Sequence, residues 1–176
     1  MENNEEGAIP KLEDLLTTEE ANRQNNISKI TDKIYLGDII GAQKYQFLKD
    51  NKIDHILSLA GEDSIKYDKD LNIEQKIIEI DDCETENIFQ YFKECIEFIE
   101  KADKILIHCM CGVSRSSTIV IAYLMYKTKK DYYPTYFFVK NKRKFISPNE
   151  GFVAQLLKFE KLLKENNYDL SKISFK

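Results

Sequence analysis

Hydrophobic residues along the chain follow two patterns, which alternate from about residue 30 to residue 165. Short apolar runs predict strands, and longer segments with an apolar residue every three to four positions predict helices. The predicted strands are 33–37, 53–59, 76–80 and 104–107, and the predicted helices are 43–51, 87–101, 116–127, 134–144 and 151–165. Alternating strands and helices are typical of the α/β class, with a mostly parallel central sheet and helices on both faces.

The start of the chain differs from the rest in its charge. Residues 1–25 carry seven acidic and two basic side chains, a charge of −5, which leaves +1 for the remainder of a chain whose total is −4. We predict an acidic, mobile tail over residues 1–26 and one folded domain over 27–176. Leu12, Leu15 and Leu16 are spaced like one face of a helix, so a docking or inhibitory segment is the alternative interpretation of the tail.

Charge and hydropathy argue against several classes of function. A folded part that is close to neutral does not favour binding to nucleic acid. No apolar run approaches the roughly 18–20 residues of a membrane span, and the acidic N-terminus has no apolar signal-peptide core. The four cysteines are expected to be reduced, because a chain of this length does not need disulfides. We expect a cytoplasmic monomer that binds neither nucleic acid nor membranes, with the nucleus as an open alternative compartment.

One loop carries the candidate chemistry. It follows the predicted strand 104–107 and leads into the predicted helix 116–127, a position where α/β proteins bind ligands. Backbone N–H groups at the start of a helix bind tetrahedral dianions. Gly112 supplies the backbone freedom that the turn needs, and Arg115 offers a bidentate fork to two phosphate oxygens. The segment reads His108-Cys109-Met110-Cys111-Gly112-Val113-Ser114-Arg115-Ser116-Ser117-Thr118.

The same hydrogen-bond donors would stabilise a thiolate at Cys109. An ionised Cys109 is an in-line nucleophile for phosphorus, and its attack gives a phosphocysteine intermediate. Ser116 is placed to donate a hydrogen bond to the sulfur when the sulfur must leave. This chemistry needs no metal, and we expect no cofactor.

This loop resembles the signature of the cysteine-dependent protein tyrosine phosphatase superfamily, in its dual specificity branch. Ile30–Gly37 and Ile53–Leu59 are similar to the first two strands of that branch. Ile146–Phe152, with Gln155, Leu156, Phe159 and Glu160, looks like the closing helix motif of the mitogen-activated-kinase phosphatases. The resemblance covers about Ile27–Asn166. It implies a protein phosphatase with a shallow site for phosphotyrosine and phosphoserine or phosphothreonine, and a phosphorylated protein such as a kinase as its partner.

The resemblance also implies a role for individual residues. Cys109 would be the nucleophile and Arg115 the phosphate clamp. Asp82 would be the general acid that protonates the leaving oxygen and then the base that activates water, with its neighbour Asp81 as the alternative. The implied phosphate-binding residues are Met110, Cys111, Gly112, Val113, Ser114 and Arg115, and the implied supporting residues are His108, Ser116 and Asn149.

Two other functions stay open from the sequence. One is a phosphatase of a non-protein phosphate, such as an RNA 5′ end, a glucan or a lipid. The lack of lysine at Met110 and Val113 argues against phosphoinositide-directed relatives, whose loops are basic. The other is a non-catalytic phospho-binding adaptor. The joint presence of Cys109, Arg115 and Asp82 argues against that function.

Cys111 departs from the resemblance, because that position is usually small and apolar. It either packs as a small hydrophobic residue or captures an oxidised Cys109, with Cys83 as the other candidate resolving thiol. Zinc binding by His108, Cys109 and Cys111 lacks a fourth ligand nearby in the sequence.

The predicted helix 134–144 and the residues just before it carry the remaining features of interest. The aromatic stretch 132–138 is expected to pack into the core rather than to stack on nucleic-acid bases. The basic residues are expected to form a solvated face, with contact to a second phosphate or to an acidic stretch of substrate as the alternative. They are Lys140, Lys142, Arg143 and Lys144.

Overall fold

The structure is a computed structural model that describes residues 26–61, 65, 67 and 71–176. Except for Asn26, the predicted acidic tail lies outside the described residues, and the domain boundary at residue 27 stays a prediction. The strands are β1 Ile27–Lys29, β2 Ile34–Gly37, β3 His55–Ser58, β4 Glu74–Ile77 and β5 Ile105–His108. The helices are α1 Ile39–Ala42, α2 Tyr45–Asp50, α3 Phe92–Lys101, α4 Arg115–Thr128, α5 Tyr132–Lys142 and α6 Glu150–Glu165.

The five strands form one sheet in the order β1-β2-β5-β3-β4. β1 is antiparallel to β2, and every other pair of neighbours is parallel, which confirms the predicted mostly parallel sheet. β5 is the central strand, with Leu106 opposite Tyr35 of β2 and opposite Ile56 of β3. The loop after β5 therefore begins in the middle of the sheet's carboxyl edge.

Helices cover both faces of the sheet, as predicted, but they cover them unequally. Ile105 and Ile107 belong to the larger core, which they share with buried residues of α3, α4, α5 and α6. Leu106 points the other way and belongs to a smaller core with Ala42 of α1 and Leu48 of α2. This alternation follows from the two-residue period of a strand, so a strand buried on both faces is apolar throughout.

α4 holds the larger core together. Its residues from Ser116 to Met125 are all buried, and it packs against α3, α5 and α6. α3 is amphipathic, and its buried residues Phe92, Cys95, Ile96 and Ile99 follow the three-to-four residue spacing of one helical face. None of the helices in the described part of the chain has the length and apolar character needed to cross a membrane.

Several elements differ from the predictions: α1 was not predicted, α3 begins at residue 92 rather than 87, and three further differences have physical reasons. β4 covers 74–77 rather than 76–80, because the prediction followed Ile78 and Ile80, which are buried just beyond the last paired residue. β1 was not predicted, because three residues are too few to show a period. The predicted core packing of residues 132–138 is wrong for Tyr133, Phe137 and Phe138, which are exposed on α5.

Candidate active site

The loop between β5 and α4, residues 109–114, is held by its carbonyl groups. Each of three carbonyls accepts a hydrogen bond from a group outside the loop. The pairs are Met110 O with Ile39 N–H at 3.1 Å, Gly112 O with Arg143 Nε–H at 2.9 Å, and Val113 O with Ser147 N–H at 2.9 Å. The described chain has no cis peptide bond, and in a trans peptide the carbonyl and the next N–H point in opposite directions. The N–H groups of Cys111, Val113 and Ser114 therefore point away from these partners.

The loop can take this shape only with glycine at position 112. Gly112 has a φ of +64°, and an added Cβ would lie 2.5 Å from the carbonyl oxygen of Gly37. The Gly112 N–H donates to Cys109 Sγ at 3.2 Å. A concave set of backbone donors around one point, at the start of a helix, is a binding site for an anion.

Cys109 lies at the base of this concavity, with only 1% of its surface exposed. Its Sγ is 3.1 Å from Ser116 Oγ in the first turn of α4. The sulfur therefore has two hydrogen-bonding neighbours, Gly112 N–H and Ser116, at a helix N-terminus. This is the environment in which cysteines act as nucleophiles.

Arg115, the first residue of α4, connects the loop to the segment after β4. Its Nη1 donates to the carbonyl of Ile80 at 3.0 Å. Its Nε is 4.0 Å from Asp82 Oδ2, is buried and has no hydrogen-bond partner among the described residues. A donor that is buried without a hydrogen bond is available to an anion in the loop.

The structure places Asp82, rather than Asp81, against the other candidate residues. Asp82 Oδ1 accepts a hydrogen bond from Asn149 Nδ2 at 2.9 Å, in addition to the ion pair with Arg115. Asp81 lines a cleft of about 360 Å³ together with Gly61, Ile80 and Arg115, so both aspartates border the site. The choice of Asp82 as the general acid stays a prediction that this geometry favours.

Asn149 joins three parts of the site. Its backbone N–H donates to Ser114 Oγ in the loop at 3.1 Å. Its side-chain oxygen accepts from the N–H of Phe152 and so caps α6, while its amide nitrogen binds Asp82. Asn149 therefore fixes the start of α6 relative to both the loop and Asp82.

His108 lies behind the thiol at the end of β5, and none of its surface is exposed. Its Nδ1 is 3.4 Å from the carbonyl oxygen of Cys109. Burial lowers the pKa of His108 from 6.5 to about 4, so the ring is neutral at neutral pH.

The sequence analysis missed Arg143. It was grouped with a solvated basic face, but it is 1% exposed, donating from Nε to Gly112 O and from Nη1 to Ser28 Oγ at 3.1 Å. Burial lowers the pKa of Arg143 to about 10, so the side chain remains a cation at neutral pH. The sequence does contain one indication of this role: Arg143 is the single arginine among lysines, and only arginine offers a rigid fork to two acceptors.

The exposure of the other cysteines decides one of the two expectations for Cys111. Cys111 and Cys83 are exposed, so the expectation that Cys111 packs as a small hydrophobic residue is wrong. Its alternative role in capturing an oxidised Cys109 stays a prediction. Within the described residues, no group of three or more histidine, cysteine or acidic side chains is arranged to hold a metal ion.

Comparisons with known proteins agree with this geometry. The family model described as the catalytic domain of dual specificity phosphatases matches residues 34–162. The chain is 37% identical over 145 residues to Dual specificity protein phosphatase MPK-4 of Drosophila melanogaster, covering 78% of this chain and 37% of that protein. It is 42% identical over 140 residues to MAP kinase phosphatase with leucine-rich repeats protein 1 of Dictyostelium discoideum, covering 75% of this chain and 16% of that protein.

A solved structure is similar to this chain over most of its length. The crystal structure of DUSP15 superposes with a TM-score of 0.74 at 30% identity, covering 86% of this chain and 99% of that one. The chain thus spans a whole solved domain but well under two thirds of the two relatives' lengths.

Proposed function

The chain belongs to the dual specificity phosphatase family of the protein tyrosine phosphatase superfamily, and on this premise we propose that it hydrolyses phosphotyrosine and phosphoserine or phosphothreonine in proteins. The observation that carries the proposal is the position of Cys109 Sγ, between Gly112 N–H and Ser116 Oγ at the base of a ring of backbone donors. The family match and the nucleophile's surroundings thus point to one reaction, phosphoryl transfer to sulfur.

The first step of the proposed mechanism forms a bond between Cys109 Sγ and phosphorus. The phosphoryl oxygens bind the loop N–H groups and Arg115, whose buried Nε has no other hydrogen bond among the described residues. As the P–O bond to the substrate breaks, Asp82 gives its proton to the leaving oxygen. The products of this step are the dephosphorylated side chain, the phosphocysteine and an ionised Asp82.

The second step releases phosphate. Asp82 takes a proton from a water molecule, whose oxygen attacks phosphorus, and the S–P bond breaks. Ser116 Oγ, 3.1 Å from the sulfur, donates a hydrogen bond to the departing thiolate. The enzyme returns to its starting state, with Asp82 protonated and Cys109 ionised.

We infer phosphorylated kinases as the substrate class. The Dictyostelium relative is named as a MAP kinase phosphatase, and the segment Ile146–Phe152 looks like the corresponding motif of such enzymes. The family match does not favour the non-protein phosphatase or the adaptor. The expected monomeric state, cytoplasmic compartment and lack of binding to nucleic acid or membranes rest on composition and stay predictions.

A substrate panel tests the proposal. We would measure phosphate release, with a chelator present, from phosphotyrosyl and phosphothreonyl peptides, a 5′-triphosphorylated RNA, a phosphoinositide and a phosphoglucan. We expect both peptides to be hydrolysed by the wild type and neither by Cys109→Ser. Faster turnover of a non-protein substrate would contradict the protein specificity. No turnover of any substrate by the reduced, folded wild type would support the adaptor.

A further inference from the structure

α5 presents an unusual surface to solvent. Tyr133, Phe137 and Phe138 are 60%, 58% and 44% exposed, and they account for three of the seven large hydrophobic side chains exposed in the described part of the chain. All three lie on the solvent-facing half of the helix: Tyr133 and Phe137, four residues apart, share one strip of it, and Phe138 lies on the neighbouring strip. Contiguous exposed aromatic residues are typical of a surface that binds another protein segment, a membrane or a ligand.

The solvent-facing half of the helix becomes basic toward its C-terminus. Lys142, one turn after Phe138, and Lys144, just beyond the end of α5, are exposed, and α5 itself contains no acidic residue. We call the surface formed by Tyr133, Phe137, Phe138, Lys142 and Lys144 the α5 face. It is aromatic in its first two turns and positively charged at its end. The described residues leave its three aromatic side chains exposed.

We propose that the α5 face binds the acidic segment 12–20 of the same chain. This segment lies outside the described residues, and its sequence is Leu-Glu-Asp-Leu-Leu-Thr-Thr-Glu-Glu. Leu12, Leu15 and Leu16 have the i, i+3, i+4 spacing with which an amphipathic helix places its apolar side on a hydrophobic surface. Glu19 and Glu20 follow the leucines, as the lysines follow the aromatic residues on α5.

The connection to the folded domain allows this contact. Ser28 of β1 accepts a hydrogen bond from Arg143, which directly follows α5, so the chain enters the domain beside the C-terminal end of that helix. Thr31 lines a small cavity together with Thr135 and Phe138, so the connection from β1 to β2 also runs next to α5.

The lengths are compatible as well. The chain from Glu20 to Ser28 can extend to roughly 26 Å, whereas α5 is about 16 Å long. In the proposed arrangement Glu19 and Glu20 lie at Lys142 and Lys144, next to the point of entry. The leucines then reach back to Tyr133 and Phe137. Charge and apolar character therefore match in one orientation of the segment.

Crosslinking with a carbodiimide tests the proposal on the full chain. This reagent joins a carboxylate to an amine only where the two are in contact. We would crosslink an equal mixture of unlabelled and ¹⁵N-labelled chains and identify the linked peptides by mass spectrometry. We expect links from Glu19 or Glu20 to Lys142 or Lys144 within one chain.

Two variants at exposed apolar positions provide the comparison. Phe137→Ser removes an aromatic side chain from the α5 face and should lower the ratio of bound to unbound segment by about tenfold, the effect of losing one buried apolar side chain. Leu157→Ser, at a 39% exposed position on α6, should leave the links unchanged. Amide hydrogen exchange of residues 12–18 should be slower in the wild type than in Phe137→Ser, and this readout does not depend on the crosslinker.

The alternative outcomes each contradict the proposal. Links between labelled and unlabelled chains would show that a second copy supplies the segment. Links that are equally abundant in Phe137→Ser would show a purely electrostatic contact without the aromatic surface. Absence of links, with fast exchange of residues 12–18 in the wild type, would show that the segment is not bound. None of these readouts depends on the proposed enzymatic activity.

Discussion

The two halves of the candidate site are built differently. The loop 109–114 is tied on its outer side by hydrogen bonds to three separate parts of the fold, and its cysteine is buried. Asp82 belongs to an exposed segment and is held by one hydrogen bond to Asn149 and one 4.0 Å ion pair with Arg115. We call these two regions the anion loop and the acid segment.

The difference corresponds to two tasks. Electrostatic stabilisation of a phosphoryl group is strongest when the donors are already in place, since their reorganisation would cost free energy during the reaction. In the proposed mechanism Asp82, as the general acid, must instead meet leaving oxygens on side chains of different length. A carboxylate with few contacts can adjust its position, which agrees with the proposed action on both phosphotyrosine and phosphothreonine.

Removal of the proposed nucleophile should produce the largest effect. We expect Cys109→Ser to lower kcat for an aryl phosphate by at least about 10⁴-fold, because a serine hydroxyl here has no base to ionise it. The fold should survive, since the hydroxyl can replace the thiol as a partner of Ser116 and Gly112. Cys95→Ala, which removes a buried thiol of α3, is the matched control and should keep its activity. Comparable turnover by Cys109→Ser would rule out the phosphocysteine mechanism.

The acid segment should give the next largest effect, and one that depends on the substrate. We expect Asp82→Asn to lower kcat by about 10²–10³-fold on a phosphothreonyl peptide and by less on an aryl phosphate, whose leaving group needs protonation less. Asp81→Asn should change both rates by less than about threefold, because the ion pair of Arg115 is with Asp82 and the Asp81 carboxylate pairs with no described residue. The reverse ranking of the two variants would assign the acid to Asp81.

The anion loop was predictable from the sequence, whereas among the distant contacts that hold the site only Asn149 was expected, and only through the family resemblance. The buried strand, the glycine, the arginine and the following helix are adjacent in the chain, so their pattern predicts a local structure. The supports join distant residues: Arg143 and Gly112 are 31 residues apart, and Asn149 and Asp82 are 67 apart. Such contacts depend on how helices pack. The same limit explains why a run of basic residues did not reveal which of them turns inward.

His108 makes the anion loop sensitive to acid. Because burial lowers its pKa to about 4 in the folded protein, the unfolded chain binds the proton more readily between pH 4 and the ordinary value of 6.5. The free energy of unfolding should therefore fall as the pH falls through this range, by up to about 3 kcal/mol from this residue.

Urea unfolding at several pH values measures this contribution. Carboxylates such as Glu100, whose pKa is lowered by its contacts with Lys127 and Tyr123, also lose stabilising interactions in acid. The difference between the wild type and His108→Gln isolates the histidine. We expect the loss of stability between pH 7 and pH 4.5 to be smaller in the variant. An equal loss in both proteins would show that His108 is protonated normally in the fold.

A substitution of Arg143 should have a smaller effect on activity than Asp82→Asn, and it tests whether the outer supports of the anion loop matter. We expect Arg143→Lys to lower kcat/KM by about tenfold and to weaken inhibition by inorganic phosphate to a similar extent. A lysine can reach Gly112 O or Ser28 Oγ but cannot bind both with a rigid fork. The peptide between Gly112 and Val113 would then be less firmly oriented, and its N–H would be a weaker donor to the anion.

A comparison with Ser28→Ala separates orientation of the loop from stability of the fold. Ser28→Ala removes the second partner of Arg143 and leaves the bond to Gly112 O in place. It should lower the free energy of unfolding by about 1 kcal/mol while inhibition by phosphate stays within about twofold of the wild type. If Arg143→Lys lowered stability but left inhibition by phosphate unchanged, Arg143 would be a purely structural residue. The outer bonds would then not contribute to anion binding, and the contrast between the anion loop and the acid segment would lie in burial alone.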